Sequence, residues 1–140
     1  MGNFVLKKMA PNFDEGRVKF KFENIFMAAP DVRASVFDKD DNPEDDENAD
    51  GKDILRLCKN KVHLLYHKGD TVLNLRRLMP VNGMRAALGR VGYDEKKIIP
   101  GPIVKKECAD WNSTMPWGSW LQGHSYHCCE LACQYYVDEM

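Results

Sequence analysis

The sequence lacks any apolar run that approaches the length of a membrane span, and no apolar segment of the signal-peptide kind follows the N-terminus. We therefore expect neither an integral membrane protein nor one secreted through a signal peptide. The chain also lacks the even number of cysteines that a fully paired disulfide framework needs. It has five, which favours reduced thiols in a cytosolic compartment. With 140 residues and 44% hydrophobic positions, we expect a single domain over 1–140.

Lys and Arg are missing from residues 107–140, which hold five acidic residues, and charge is uneven elsewhere too, although the net charge is only −1. Residues 38–50 hold eight acidic residues and one lysine, which predicts a solvated, mobile loop. Residues 52–106 hold thirteen Lys and Arg against four Asp and Glu. This basic middle favours contact with phosphate, and an ordinary solvated face is the alternative. The candidates for an RNA or phosphate contact are Arg76, Arg77, Arg85, Arg90, Lys96, Lys97, Lys105 and Lys106.

Apolar periodicity predicts several short strands in the first half of the chain. Residues 17–23 alternate apolar and charged side chains, which is typical of a half-buried strand. Apolar runs follow at 53–58, 61–67 and 71–75, separated by short polar breaks. Such breaks predict hairpins, and hence an antiparallel sheet with 61–67 in its middle.

Two further elements are predicted before the C-terminal region. Residues 84–88 favour a helix that ends at Gly89 or Gly92. Residues 98–105 favour a strand whose first half, with two prolines, is confined to an edge or a loop.

The richest chemistry lies at 124–133, where two histidines and three cysteines occupy ten positions. Ser125 is a good N-cap, and no Gly or Pro occurs over 126–139, so a helix beginning near Tyr126 is predicted. Cys128 and Cys129 would then lie in its first turn, where the helix dipole favours the thiolate. A catalytic cysteine is one interpretation, and small thiols that pack a buried helix are the other.

The histidines allow two kinds of site. His63, central on a predicted strand, would form a Cys-His pair with a thiol at the start of the helix. A structural zinc site is the alternative, although adjacent cysteines rarely bind one ion. Its ligands would be His124 or His127 with Cys108, Cys128, Cys129 or Cys133.

These residues resemble two boxes of the lecithin:retinol acyltransferase-like proteins, which are related to the papain-like and NlpC enzymes. Asp53-Ile54, His63, Gly69-Asp70 and the run 72–75 resemble the His box of that family. Cys128-Cys129-Glu130, with Tyr135-Tyr136 beyond it, is similar to the Asn-Cys-Glu-His-Phe box. The short chain and the Gly after the initiator Met point to the picornaviral 2A proteins of the kobuvirus and parechovirus type. The resemblance spans a His-box/Cys-box core at 51–137.

The resemblance implies an α+β fold of acyltransferase-like architecture, in which a small antiparallel sheet packs against a C-terminal helix that carries the cysteine box. It also implies Cys129 as nucleophile and His63 as base, with Asn74 or His67 as the residue that orients the imidazole. Asn74 stands one residue out of step with the second histidine of the acyltransferases, and Cys128 replaces the Asn before the nucleophile. The secondary site candidates are Cys128, His67 and Glu130.

The picornaviral branch is implicated in viral RNA replication and host interaction and is not a protease. The resemblance therefore implies a non-proteolytic protein of the host cell cytoplasm. Its expected partners are viral RNA, viral replication proteins and host proteins, with peripheral contact to replication membranes. We expect no cofactor, no metal ion and no robust enzymatic activity. An active Cys-His acyltransferase or phospholipase-type enzyme and a zinc-stabilised binding module are the alternatives.

Overall fold

The structure is a computed structural model that describes residues 6, 9–10, 12, 20–32, 34–38, 51–73, 87–114 and 125–140, without the side chains of 112–114, 125 and 126. Strands and short helices alternate along this part of the chain. In order they are β1 (Phe22–Ala28), a 3-10 helix (Ala34–Phe37), α1 (Gly51–Arg56), β2 (Cys58–Tyr66), α2 (Leu88–Val91), β3 (Ile103–Glu107), two 3-10 helices (Ala109–Thr114 and Ser125–Cys128) and α3 (Glu130–Asp138).

The three strands form one sheet in the order β1-β2-β3, and both strand pairs are parallel. His63 of β2 is aligned with Phe26 of β1 and with Val104 of β3. The α+β class is confirmed, whereas the antiparallel sheet predicted from hairpin spacing is wrong. Parallel neighbours need long crossover connections, so β2 pairs with strands that are distant in sequence and not with the runs beside it.

The predicted hairpin arms on either side of β2 are helical. Residues 53–58 fall largely in α1, where Ile54 is buried three positions before the buried Leu57, a helical spacing. Residues 71–73 are helical as well. There the buried carboxylate of Asp70 accepts a hydrogen bond from the Leu73 backbone N–H at 2.9 Å, as an N-cap does. Short apolar runs fit a helix and a strand equally well, and local capping decides between them here.

The outer strands lie further along the chain than predicted. β1 begins at Phe22 and runs through the apolar, aperiodic residues after the 17–23 pattern. β3 begins at Ile103, after Pro100 and Pro102, so the first half of 98–105 lies outside the strand, in agreement with the loop that the prolines predicted. The short helix α2 begins only at Leu88, because Ala87 is extended, so it lies further along the chain than the predicted helix at 84–88. Gly92, one of the two predicted stops, is its C-cap, and φ is +68° there, a conformation that favours glycine. Residues 84–86, like 39–50 of the acidic run, lie outside the described residues.

Both faces of the sheet are covered, as a parallel sheet requires. On one face, strand side chains and the surrounding helices form a buried core that includes Ile25, Met27, Val62, Leu64, Phe37, Ile54 and Leu88. On the other face α3 lies against the sheet, with Phe26 and His63 next to the rings of Tyr135 and Tyr136. No helix in the described ranges has the length and apolar character needed to cross a membrane.

Replacement of Gly89 by alanine tests the close approach of α2 to the end of β1. A Cβ at position 89 would lie 2.6 Å from the carbonyl carbon of Ala29 and 2.6 Å from the backbone nitrogen of Pro30. Backbone atoms do not yield cheaply, so we expect Gly89→Ala to lower the free energy of unfolding by about 1 to 3 kcal/mol, even though alanine favours helix.

Gly101→Ala is the matched control for this measurement. A Cβ at Gly101 would meet the end of the Leu55 side chain at 2.7 Å, and that side chain can rotate away. We expect a loss below about 1 kcal/mol for Gly101→Ala in urea unfolding. Equal losses for the two variants would contradict the close backbone packing at Gly89.

Candidate functional site

The imidazole of His63 lies at the centre of the sheet face that α3 covers. The side chain is completely buried, and its ring stacks on Phe26 of the neighbouring strand with the centroids 4.6 Å apart. Its Nδ1 lies 2.9 Å from the hydroxyl oxygen of Tyr135, a hydrogen bond between β2 and the middle of α3. His63 is therefore held on two sides, by an aromatic ring and by a hydroxyl.

The other ring nitrogen of His63 points toward the last turn of the chain. Its Nε2 lies 3.9 Å from a carboxylate oxygen of Glu139 and has no hydrogen-bond partner among the described residues. The same carboxylate is bound by Lys61 at 3.2 Å, while the side-chain amide of Asn24 donates to the Glu139 carbonyl at 2.8 Å. These bonds attach the end of α3 to β1 and β2.

The electrostatic surroundings keep His63 neutral. Burial of the ring lowers its pKa below the ordinary histidine value of 6.5 because the charged form loses its hydration. The Glu139 carboxylate opposes this effect and the Lys61 ammonium adds to it. Burial is the largest contribution, so the neutral form is favoured inside the fold.

Cys129 lies at the other end of α3. The helix begins at Glu130 and not near Tyr126, so Cys129 occupies the N-cap position with an extended backbone, and its side chain makes no capping hydrogen bond. The residue is only 3% exposed and belongs to a small buried cluster with Leu65, Cys108 and Trp111. Its immediate surroundings are those of a packed thiol.

The predicted pair of Cys129 and His63 is not joined by a hydrogen bond in the described part of the chain. Contacts of α3 with the sheet place its first residues near Leu65 and its last residues near His63, so the helix runs opposite to β2. Cys129 and Tyr135 are six positions apart, which amounts to about 9 Å along a helix axis. The base and the thiol therefore lie beside different turns of α3.

The secondary candidates are dispersed. The Nδ1 of the half-buried His67 accepts a hydrogen bond from the Gly69 backbone N–H at 2.9 Å, in the turn after β2. Cys128 is exposed at the end of the 3-10 helix before α3, and Glu130 is exposed as the first residue of α3. Asn74, the predicted orienting residue, lies outside the described residues.

The thiols do not form a metal centre in the described ranges. No group of three His, Cys, Asp or Glu side chains is placed there to hold a metal ion, while His124 lies outside these ranges. Cys108 is fully buried, and burial raises its pKa to about 12. Such a thiol stays protonated, which suits packing better than ligation or attack.

The basic candidates differ in how far they are already paired. Lys96, Lys97 and Lys106 are exposed. Lys105 binds the carboxylate of Glu95 at 3.0 Å and lies over the ring of Tyr93. Arg90 is half-buried, and its Nε is buried without a hydrogen-bond partner. The remaining candidates lie outside the described residues, namely Arg76, Arg77 and Arg85.

Sequence reasoning missed the residues that surround His63. Phe26 and Asn24 lie just after the alternating residues 17–23, in a stretch without a regular apolar period, and Glu139 is not among the candidate site residues. The available signal was the spacing of Tyr135 and Glu139, which are four residues apart and thus share one face of a helix. A polar pair of that kind on the inner face of α3 calls for polar partners on the sheet.

Comparison of the chain with family models, with curated proteins and with solved structures finds no match.

The buried His63 should make stability depend on pH. Since its pKa is lower in the folded state than in the unfolded chain, the unfolded chain takes up the proton first as the pH falls. The contribution of neutral His63 to the free energy of unfolding is complete above about pH 6.5 and is lost as the pH falls below that value. In urea unfolding from about pH 7.5 to about pH 5, the free energy of unfolding should fall less steeply for His63→Gln than for wild type. Identical pH profiles for wild type and variant would contradict this assignment.

Alkylation of individual cysteines tests the separation of Cys129 from His63. With iodoacetamide, we expect the exposed Cys128 and Cys133 to react first and the buried Cys129 to react at least about tenfold more slowly. Because His63 bonds to Tyr135, His63→Gln should leave the pH profile of Cys129 labelling unchanged. Peptide mass spectrometry measures each rate, with Cys128 as the internal control. A Cys129 profile that shifts in the variant would establish a coupled pair.

Proposed function

We propose that this protein is a non-enzymatic binding protein of the picornaviral 2A type, which acts in viral RNA replication and host interaction in the host cell cytoplasm. The resemblance of the His box and the cysteine box supports the 2A type. The observation that carries the non-enzymatic part is the hydrogen bond of His63 to Tyr135, at 2.9 Å, on a different turn of α3 from Cys129.

The chemistry of acyl transfer argues for binding over catalysis. A thiol nucleophile needs a base within hydrogen-bond reach, and the reacting atoms need access to substrate. His63 is completely buried between Phe26 and Tyr135, and Cys129 is 3% exposed. Both side chains stabilise the packing of α3 on the sheet. We therefore expect the protein to act by binding partners at its surface and not through this thiol and imidazole.

RNA is the partner that the charge distribution favours. Thirteen cationic residues against four acidic ones over 52–106 provide a local positive potential in a chain of net charge −1. Lys96 and Lys97 are exposed in the turn that follows α2, where phosphate groups of a single strand would reach them. The other proposed partners are viral replication proteins, host proteins and replication membranes, which the protein would contact peripherally.

Neutralisation of these two lysines tests the RNA contact. We expect a labelled single-stranded RNA to bind the wild-type chain with an affinity that falls as salt rises. The double variant Lys96→Gln with Lys97→Gln should bind about tenfold more weakly and should reduce the salt slope by about 1.4, from roughly 0.7 per phosphate contact on a single strand. Fluorescence anisotropy over a salt series measures both quantities.

The matched control removes two exposed lysines that already face carboxylates. Lys59 binds Glu23 at 2.9 Å and Lys68 binds Glu107 at 3.1 Å, so Lys59→Gln with Lys68→Gln should change binding little. Cys129→Ser should also leave RNA binding intact, because the proposed function does not use the thiol. If the wild-type chain binds no RNA at low salt, RNA is not the partner. If both double variants lose equal affinity, Lys96 and Lys97 are not the RNA-binding surface.

A further inference from the structure

The short helix α2 is placed where parallel sheets bind ligands. The backbone N–H of His67, just after β2, donates to the Gly89 carbonyl at 2.9 Å, and the Gly89 N–H donates to the Pro30 carbonyl at 2.8 Å. The Leu88 N–H in turn donates to the Val32 carbonyl at 2.8 Å. Helix α2 therefore lies across the carboxyl ends of β1 and β2. In open parallel sheets this edge is the usual position of ligand sites.

The backbone at this edge is strained. Ala29 has φ at +44°, which is an unfavourable conformation for any residue with a Cβ, and it directly follows β1. Gly89 presses on the same segment, since even a Cβ there would collide with Ala29 and Pro30. Strain of this kind persists where the surrounding structure enforces it, often at binding sites. The close packing of Gly89 against Ala29 and Pro30 fixes the position of the next residue.

That residue is Arg90, whose guanidinium has no partner in the described part of the chain. Its Nε is buried and makes no hydrogen bond, and no ion pair joins Arg90 to a described carboxylate. A partly buried cation without a partner is costly, and proteins rarely keep one unless something binds it. The rigid guanidinium fork suits oxyanions, which accept two parallel hydrogen bonds from it.

We propose that Arg90 anchors a phosphate-binding site at the carboxyl edge of the sheet. The excess of cations over 52–106 favours a phosphate group over the more weakly charged carboxylate. This inference goes beyond the proposed function, because a phosphorylated small molecule would fit the site as well as the phosphodiester of an RNA. The shared chemistry is a phosphate group bound by the Arg90 guanidinium.

Calorimetric titration of the full chain with inorganic phosphate, at constant ionic strength, tests the site. We expect wild type and Lys59→Gln to bind phosphate equally, and Arg90→Gln to bind at least about tenfold more weakly. Lys59→Gln removes the same charge from an exposed position outside the proposed binding residues and is the matched control. Arg90→Lys keeps the charge but loses the fork, so its affinity should be intermediate.

Thermal unfolding separates a binding role from a structural one. Without phosphate, Arg90→Gln should be at least as stable as wild type, since it removes an unpartnered cation. Phosphate should raise the Tm of wild type and Lys59→Gln but not of Arg90→Gln. The proposal is overturned if Arg90→Gln is less stable than wild type without phosphate and phosphate does not raise the Tm of wild type. Arg90 would then have a structural role.

Two ligands identify the source of the phosphate. Adenosine monophosphate and a single-stranded RNA are titrated into wild type and Arg90→Gln. Loss of nucleotide binding with unchanged RNA binding supports a small-molecule site, and loss of both supports an RNA backbone contact. No effect of Arg90→Gln on phosphate, nucleotide or RNA overturns the site, while wild-type RNA binding would still uphold the proposed function.

Discussion

The parallel arrangement of β2 between two other strands is the constraint on which the rest of the structure depends. A central strand in a parallel sheet has no face toward water, so both of its faces must be covered. Residues 62–66 are all buried, polar His63 among them. One face is covered by helices that precede β3 and the other by α3. The apolar side of the last helix is therefore committed to covering the sheet.

The direction of α3 then decides the chemistry of its ends. Because the helix runs opposite to β2, its first residues lie near Leu65 and its last residues near His63. The thiol at the start of the helix is placed toward the carboxyl ends of the strands, and the imidazole is matched with Tyr135 and Glu139 at the other end. One packing choice thus separates Cys129 from His63 and supplies His63 with different partners.

The sequence allowed the fold class, the central strand and a helix at the C-terminus to be predicted, but not the strand direction. Strand direction depends on the connections between strands, and Asp70 starts a helical turn where a hairpin arm was predicted. The part of β1 beyond residue 23 was not predicted, because residues 24–28 are covered on both faces and a strand of that kind shows no alternation of apolar and polar residues. The partners of His63 depended on that strand and on the direction of α3, neither of which is a local property.

The residues that carry the family resemblance have structural roles in this fold. Their presence in the sequence is therefore explained without catalysis. Asp70 caps a helical turn, Cys129 fills a buried cluster, and His63 joins β2 to α3. Each role requires a small or polar side chain at that position, as catalysis would. A pattern of a dozen positions cannot separate the two requirements, because both select the same residue types. The distance between the thiol and the imidazole can separate them, and it depends on the direction of one helix.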